Sequence, residues 1–217
     1  MHVGGQKIGR RGCLFIVSGP SGAGKTSLCT PILRDLAGIE LSVSFTTRKP
    51  RPGERDGVDY RFVDTNAFEA MVAAGGFAEW AEVHGHRYGT ASAIVDIALA
   101  GGSDLLLDID VQGAEQLRRA YPYPAAVAVF VLPPSRERLE ERLLGRATED
   151  TESVRTRLRN ACSEIAAVGT YDYFIVNEDF DGAVESLGSI IRAERLRVAR
   201  VAQQDLKRLI RAFEPGS

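Results

Sequence analysis

Residues Gly19, Pro20, Ser21, Gly22, Ala23, Gly24, Lys25 and Thr26 have the types and spacing of a phosphate-binding loop. The pattern G-x-x-x-x-G-K-[ST] carries that meaning when a strand precedes it and a helix follows. Glycine lets successive backbone N–H groups turn inward around phosphate oxygens. The helix behind the loop points the positive end of its dipole at the same anion. Lys25 then reaches the β- and γ-phosphates, and the Thr26 hydroxyl ligates Mg2+. This is nucleoside triphosphate chemistry. The loop alone does not say where the γ-phosphoryl group goes.

Other segments bear on the acceptor. In the stretch Ser44–Tyr60, Arg48 and Arg51 stand beside Pro50, Pro52 and Gly53. Proline and glycine stiffen such a turn. Two arginines on a stiff loop, with the Tyr60 hydroxyl near, suit a second phosphate. Taken alone, the stretch also reads as a solvated basic turn. Asp108 and Asp110 follow the apolar run Leu105–Leu107. Residues i and i+2 share a face, and ligands sit beyond the carboxyl ends of parallel strands. One acid can hold Mg2+-bound water while the other meets the acceptor. The structural alternative for Asp108 is to cap the next helix. Residues 136–159 are dense in charge. Ion pairs on solvated helices account for Arg136, Arg138, Arg155 and Arg159. His84 and His86 flank Gly85 without a third ligand in reach, so they read as loop residues.

The elements that must position these residues alternate in kind. Cys13–Val17, Asp104–Ile109, Ala126–Leu132 and Tyr173–Val176 read as buried strands. Helical patterns cover residues 24–37, 112–120, 135–145, 151–167 and 181–211. Strands alternating with helices predict a parallel sheet with helices on both faces, an α/β fold of three layers. Residues 42–90 and 135–167 interrupt that rhythm and read as insertions. Residues 1–12, with Gly4, Gly5, Gly9 and Gly12, read as a mobile tail.

The chain has 217 residues, 44% hydrophobic and 26% charged, which suits one globular domain with inserted subdomains. Its net charge of −2 gives no pull toward nucleic acid or an anionic membrane. Stretch 181–211 is basic but interrupted by Glu194 and Asp205, and it reads as a solvated amphipathic helix. No apolar run approaches a membrane span. Cys13, Cys29 and Cys162 are widely spaced and read as reduced thiols of a cytoplasmic protein.

The chain resembles guanylate kinase. The resemblance rests on Gly19–Thr26, Ser44–Tyr60, Phe77–Trp80, Tyr88–Thr90, Leu107–Gly113, Pro133–Ser135, Arg142–Arg146 and Ile175–Asn177, in the family's order and spacing. It implies a P-loop NTPase core over residues 13–41, 91–134 and 168–211. It implies a GMP-binding insertion over 42–90 and a lid over 135–167. The reaction implied is ATP + GMP giving ADP + GDP, with dGMP as a second acceptor and Mg2+ as the metal, in purine nucleotide recycling. By the same resemblance, Arg48, Arg51, Tyr60 and Tyr88 bind the GMP phosphate. Ser44, Glu79, Thr90 and Asp110 surround its guanine. Arg142, Arg146 and Arg157 close over the triphosphate, and Asn177 touches the adenine of ATP. Ala147 departs from the glycine the family often carries there. A carboxylate at Glu79 accepts guanine's adjacent N1–H and N2–H, whereas it repels the N1 lone pair of adenine. Two rivals remain: another small-molecule kinase of this fold, and a non-catalytic binding module built on it. The Glu79 and Tyr60 constellation weighs against the first. Modules of the second kind typically lack a working phosphate loop, and this chain retains Lys25 and Thr26.

Overall fold

The computed structural model describes residues 2–3, 6–7, 9–83, 85–145 and 151–213. The strands in chain order are β1 (His2–Val3), β2 (Gln6–Lys7), β3 (Leu14–Ser18), β4 (Ile39–Leu41), β5 (Phe45–Thr46), β6 (Arg61–Phe62), β7 (Phe77–Val83), β8 (His86–Ala91), β9 (Asp104–Asp108), β10 (Ala126–Leu132) and β11 (Tyr173–Val176). The helices are α1 (Lys25–Asp35), α2 (Thr65–Ala73), α3 (Ser92–Gly101), α4 (Val111–Ala120), α5 (Arg136–Leu144), α6 (Thr151–Ile165), α7 (Phe180–Arg195) and α8 (Gln203–Arg211).

The core is a parallel sheet in the order β11-β10-β3-β9-β4. β3 sits at its centre and is buried on both faces, which explains its unbroken apolar run. Phe15 and Val17 pack with Leu28, Ile32, Leu187 and Ile191 of α1 and α7. Leu14 and Ile16 face the other way, onto Val95, Ala114 and Leu117 of α3 and α4. Strand alternation thus makes three layers from one stretch of sequence. A smaller sheet, β6-β5-β8-β7, lies within residues 45–91. α5 and α6 pack through Leu139, Leu143, Leu158 and Ala161, a small core of their own.

Three features differ from the sequence expectation. β4, α2 and α3 were not anticipated. α2 carries a legible start signal, since the Asp64 carboxylate accepts the Ala67 N–H at 2.7 Å. The helix expected over 181–211 is two helices, α7 and α8, separated by a 3₁₀ turn at Val198–Arg200. Tertiary pairing decides that break. Arg200 is 2% exposed and donates to Glu194 Oε2 at 3.0 Å. The Arg200 carbonyl accepts the Arg11 N–H at 2.9 Å. The same pairing fastens residues 9–12 of the expected tail to the body. Gly9 N–H donates to Asp205 at 2.6 Å. Arg10 and Arg195 both bind the buried Asp104 carboxylate.

Candidate active site

The phosphate loop leaves the carboxyl end of β3, at the centre of the sheet, and enters α1. Gly24 caps α1 in the left-handed region at φ 93°. A Cβ there would sit 2.4 Å from Asn177 Nδ2, so this position needs glycine twice over. Lys25 Nζ donates to the carbonyls of Gly19 at 2.6 Å and Pro20 at 3.1 Å, which folds the ammonium back over its own loop. The Thr26 hydroxyl donates to Asp108 Oδ2 at 2.5 Å.

Asp108 and Asp110 divide between two neighbourhoods. Asp108 ends β9 and faces Thr26. Asp110, not Asp108, caps the next helix: its Oδ1 accepts the Gly113 N–H at 2.8 Å at the start of α4. Burial raises the Asp110 pKa, against the charge of Lys25, which lowers it.

Glu79 faces Asp110 from β7. It is 4% exposed, and the Thr90 hydroxyl on the opposing β8 donates to its Oε1 at 2.7 Å. A β-bulge between Phe77 and Glu79 resets the strand's alternation. Phe77 and Trp80 therefore both meet Phe68 of α2, with ring centroids at 4.5 and 6.3 Å, while Glu79 faces the other way, into the cleft. Burial pushes the Glu79 pKa up to about 7, with Asp110 adding to the rise and the Thr90 hydrogen bond opposing it. The pocket thus holds two acids whose charged forms lack donors. That is the complement of guanine's N1–H and N2–H edge.

The residues expected at a second phosphate gather on and around the loop that Pro50, Pro52 and Gly53 stiffen. Arg48 donates to Glu54 Oε1 at 2.8 Å and lies over the Tyr60 ring at 5.3 Å. Glu54 Oε2 accepts the Arg51 N–H at 2.7 Å, so one carboxylate ties both arginine positions together. The Arg51 side chain is exposed. Tyr60 and Tyr88 meet edge to face at 5.9 Å. Burial raises the Tyr60 pKa, and the charge of Asp108 adds to it, which puts this hydroxyl within electrostatic reach of the Thr26–Asp108 pair. Ser44 immediately precedes β5, and its carbonyl accepts the Arg61 N–H at 2.9 Å.

Two arginines of α5 and α6 reach the phosphate loop and its flank. Arg157 donates to Ser21 Oγ at 3.2 Å. Arg142 donates to the Asn177 carbonyl at 2.9 Å and the Ala23 carbonyl at 3.4 Å. Arg146, Ala147 and His84 lie outside the described residues. Asn177, expected near the adenine of ATP, lies at the end of β11 beside the loop. It is 4% exposed, and its amide donates to the Ala23 carbonyl at 2.7 Å, bracing the phosphate loop from behind.

Sequence reasoning gave no role to Glu54, Gly113 or Glu164. Glu164 is two helical turns beyond Arg157 on α6, so both share the face that meets the phosphate loop. Its carboxyl meets the Ser21 backbone N–H; burial raises its pKa, and the charge of Lys25 opposes that. Spacing from Arg157 was the available signal. Gly113 is a close-approach glycine: a Cβ there would lie 2.5 Å from Glu79 Oε2 and 3.2 Å from Asp110 Oδ1.

Known proteins of similar sequence share this arrangement's family. A guanylate kinase family model matches residues 11–194. A guanylate kinase of Syntrophotalea carbinolica is 54% identical over 195 residues, covering 90% of this chain and 92% of that one. A guanylate kinase of Geobacter sulfurreducens is 50% identical over 192 residues, covering 88% and 94%. The crystal structure of guanylate kinase from Anaplasma phagocytophilum superposes with a TM-score of 0.76 at 32% identity, covering 95% of this chain and 97% of that one.

Proposed function

The chain belongs to the guanylate kinase family, and from that premise we propose which of its residues carry out the family's reaction. The enzyme transfers the γ-phosphoryl group of ATP to GMP, giving ADP and GDP. A GMP phosphate oxygen attacks the γ-phosphorus. The bond to the β–γ bridging oxygen breaks, and its electron pair leaves with ADP. A phosphate monoester has a second pKa near ~6 and is mostly dianionic at neutral pH, so no general base is required. Catalysis is then positioning and charge neutralisation of a loose transition state.

Gly19 to Thr26 cradle the ATP phosphates, and Lys25, Arg142, Arg146 and Arg157 supply positive charge. Lid closure keeps water from the phosphoryl group. Arg48, Arg51, Tyr60 and Tyr88 hold the acceptor phosphate. Glu79, Asp110, Thr90 and Ser44 enclose guanine. The Thr26 hydroxyl and Asp108 carboxylate are hard oxygen donors of the kind Mg2+ takes, Asp108 through a water. Bound there, the ion would supply charge neutralisation for the phosphoryl group in transfer. These assignments address base and phosphate, not the ribose 2′-hydroxyl, so dGMP serves as a second acceptor. The reading places the enzyme in the cytoplasm, with ATP and GMP as its partners. Among the described residues, no helix is long and apolar enough to cross a membrane.

The observation that carries the reading is the buried Glu79–Thr90 pair beside Asp110, two residues from the Asp108–Thr26 contact. The test is ADP formation with GMP, dGMP, AMP, CMP and UMP as acceptors. GMP and dGMP are expected to turn over at least about a hundredfold better, since a polar site rejects a base that leaves its groups unpaired. Comparable turnover of AMP would overturn the assignment of Glu79.

A further inference from the structure

β7 is an edge strand of the small sheet. An edge strand turns a row of N–H and C=O groups away from its neighbour. At Trp80 both are taken by one side chain from another element. Gln116 on α4 accepts the Trp80 N–H at 3.1 Å and donates to the Trp80 carbonyl at 2.7 Å. The amide of Gln116 stands where the next strand would be. It fastens the small sheet to the core at the residue after Glu79.

The helix that carries this amide also builds the other side of the base pocket. Asp110 caps α4, Gly113 leaves room for the Glu79 carboxylate, and Gln116 lies one turn beyond Gly113. Positions 110, 113 and 116 follow one helix face. One short helix therefore places one acid, makes space for the second, and grips the strand that bears it.

We propose that Gln116 is a positioning residue for base selectivity: its paired hydrogen bonds to Trp80 fix Glu79 relative to Asp110, and so set the fit to guanine's adjacent N–H donors. This rests on reading Glu79 as the residue that meets guanine. A hydrogen-bond pair of this kind also stabilises the fold, so the test must separate selectivity from stability.

The experiment compares wild type, Gln116→Met and Glu79→Gln in steady-state kinetics with GMP and with IMP, which lacks the 2-amino group. Gln116→Met keeps the side chain's length and removes both hydrogen bonds. It is expected to raise the KM for GMP about tenfold, the worth of one net hydrogen bond. It narrows the preference for GMP over IMP by a similar factor. The KM for ATP stays within about twofold, a split that general destabilisation does not produce. If Gln116→Met does not fold, Gln116→Glu replaces it. That variant keeps the acceptor for Trp80 N–H and loses the donor, and the same shifts are expected. An unchanged GMP-to-IMP preference in a folded Gln116 variant, while Glu79→Gln abolishes that preference, overturns the role of Gln116 alone. A preference that survives Glu79→Gln overturns the base-reading assignment and this inference with it.

Discussion

The phosphate loop is one uninterrupted stretch, Gly19 to Thr26, whose binding groups are mostly backbone N–H. The proposed guanine pocket draws Glu79 from β7, Thr90 from β8 and Asp110 from the cap of α4. The first gets its geometry from local rules: glycine at positive φ, then a helix N-terminus. The second gets it from tertiary structure: a bulge that turns Glu79 into the cleft, a glycine that leaves it room, and a neighbouring helix that caps and clamps. A local site tolerates changes elsewhere and fails when its own residues change. An assembled site can be detuned from several places, each time with the phosphate chemistry left intact.

The largest expected effect falls on the local site. Lys25→Ala removes the ammonium that meets developing charge on the transferred group. Turnover is expected to fall by on the order of 10²–10³-fold or more with the fold retained. The check is kcat by coupled assay alongside circular dichroism. Near-normal turnover would contradict the assignment of Lys25 and the division of labour between the two regions.

A smaller and more selective effect is expected at Glu79. Glu79→Gln aims an amide donor at guanine's donors, and kcat/KM for GMP falls by about 1–3 kcal/mol while ATP binding is spared. The wild-type pH profile carries the same information. Burial raises the Glu79 pKa to about 7, and the neighbouring Asp110 adds to the rise. The folded free enzyme therefore favours the protonated acid, a contribution to stability that is present at low pH and lost as pH rises through about 7. Guanine needs the ionised form. kcat/KM for GMP is thus expected to fall about tenfold per pH unit below ~7. Glu79→Gln removes that limb and leaves the acceptor phosphate's own ionisation near ~6. A wild-type profile flat between pH 6 and 8 would show that no buried acid gates the acceptor.

This contrast also explains what the sequence disclosed. The parallel core was legible because β3, β9, β10 and β11 are apolar runs followed by helical patterns. The loop was legible because its motif is contiguous. Arg48, Arg51, Glu79 and Asp110 could be marked as types and by resemblance. Their geometry could not be read, since the bulge before Glu79 has no strong local signature and Gly113 looks like any helical glycine. Asn177 shows the same limit: the resemblance marks it as a base contact, whereas the hydrogen bond from its amide to the Ala23 carbonyl is set by the fold. The break in the expected helix 181–211 depends on residues 9–11, far away in the chain.

The smallest expected effect is spectroscopic, and it falls where the two regions join. Trp80 is the only tryptophan in the chain. Strand alternation predicts a ring turned away from guanine and into the small subdomain's core. It does turn away, onto Phe68, but it is 37% exposed, a lid over that core more than a part of it. Its backbone is the point that Gln116 grips. The indole therefore reports movement of the small sheet against α4 without touching the ligand. NMP-kinase insertions close on their substrate, as the resemblance implies. GMP is expected to shift the emission by a few nanometres or a modest change in intensity, saturably. ATP with Mg2+ is expected to shift it less, because its phosphates meet the loop and lid first. Arg51→Ala weakens the acceptor phosphate site and is expected to move the GMP titration to higher concentration with the same end point. Emission unmoved by saturating GMP would mean that the small sheet and α4 bind the nucleotide as one rigid unit. A larger response to ATP than to GMP would mean that residues 42–90 serve the other nucleotide.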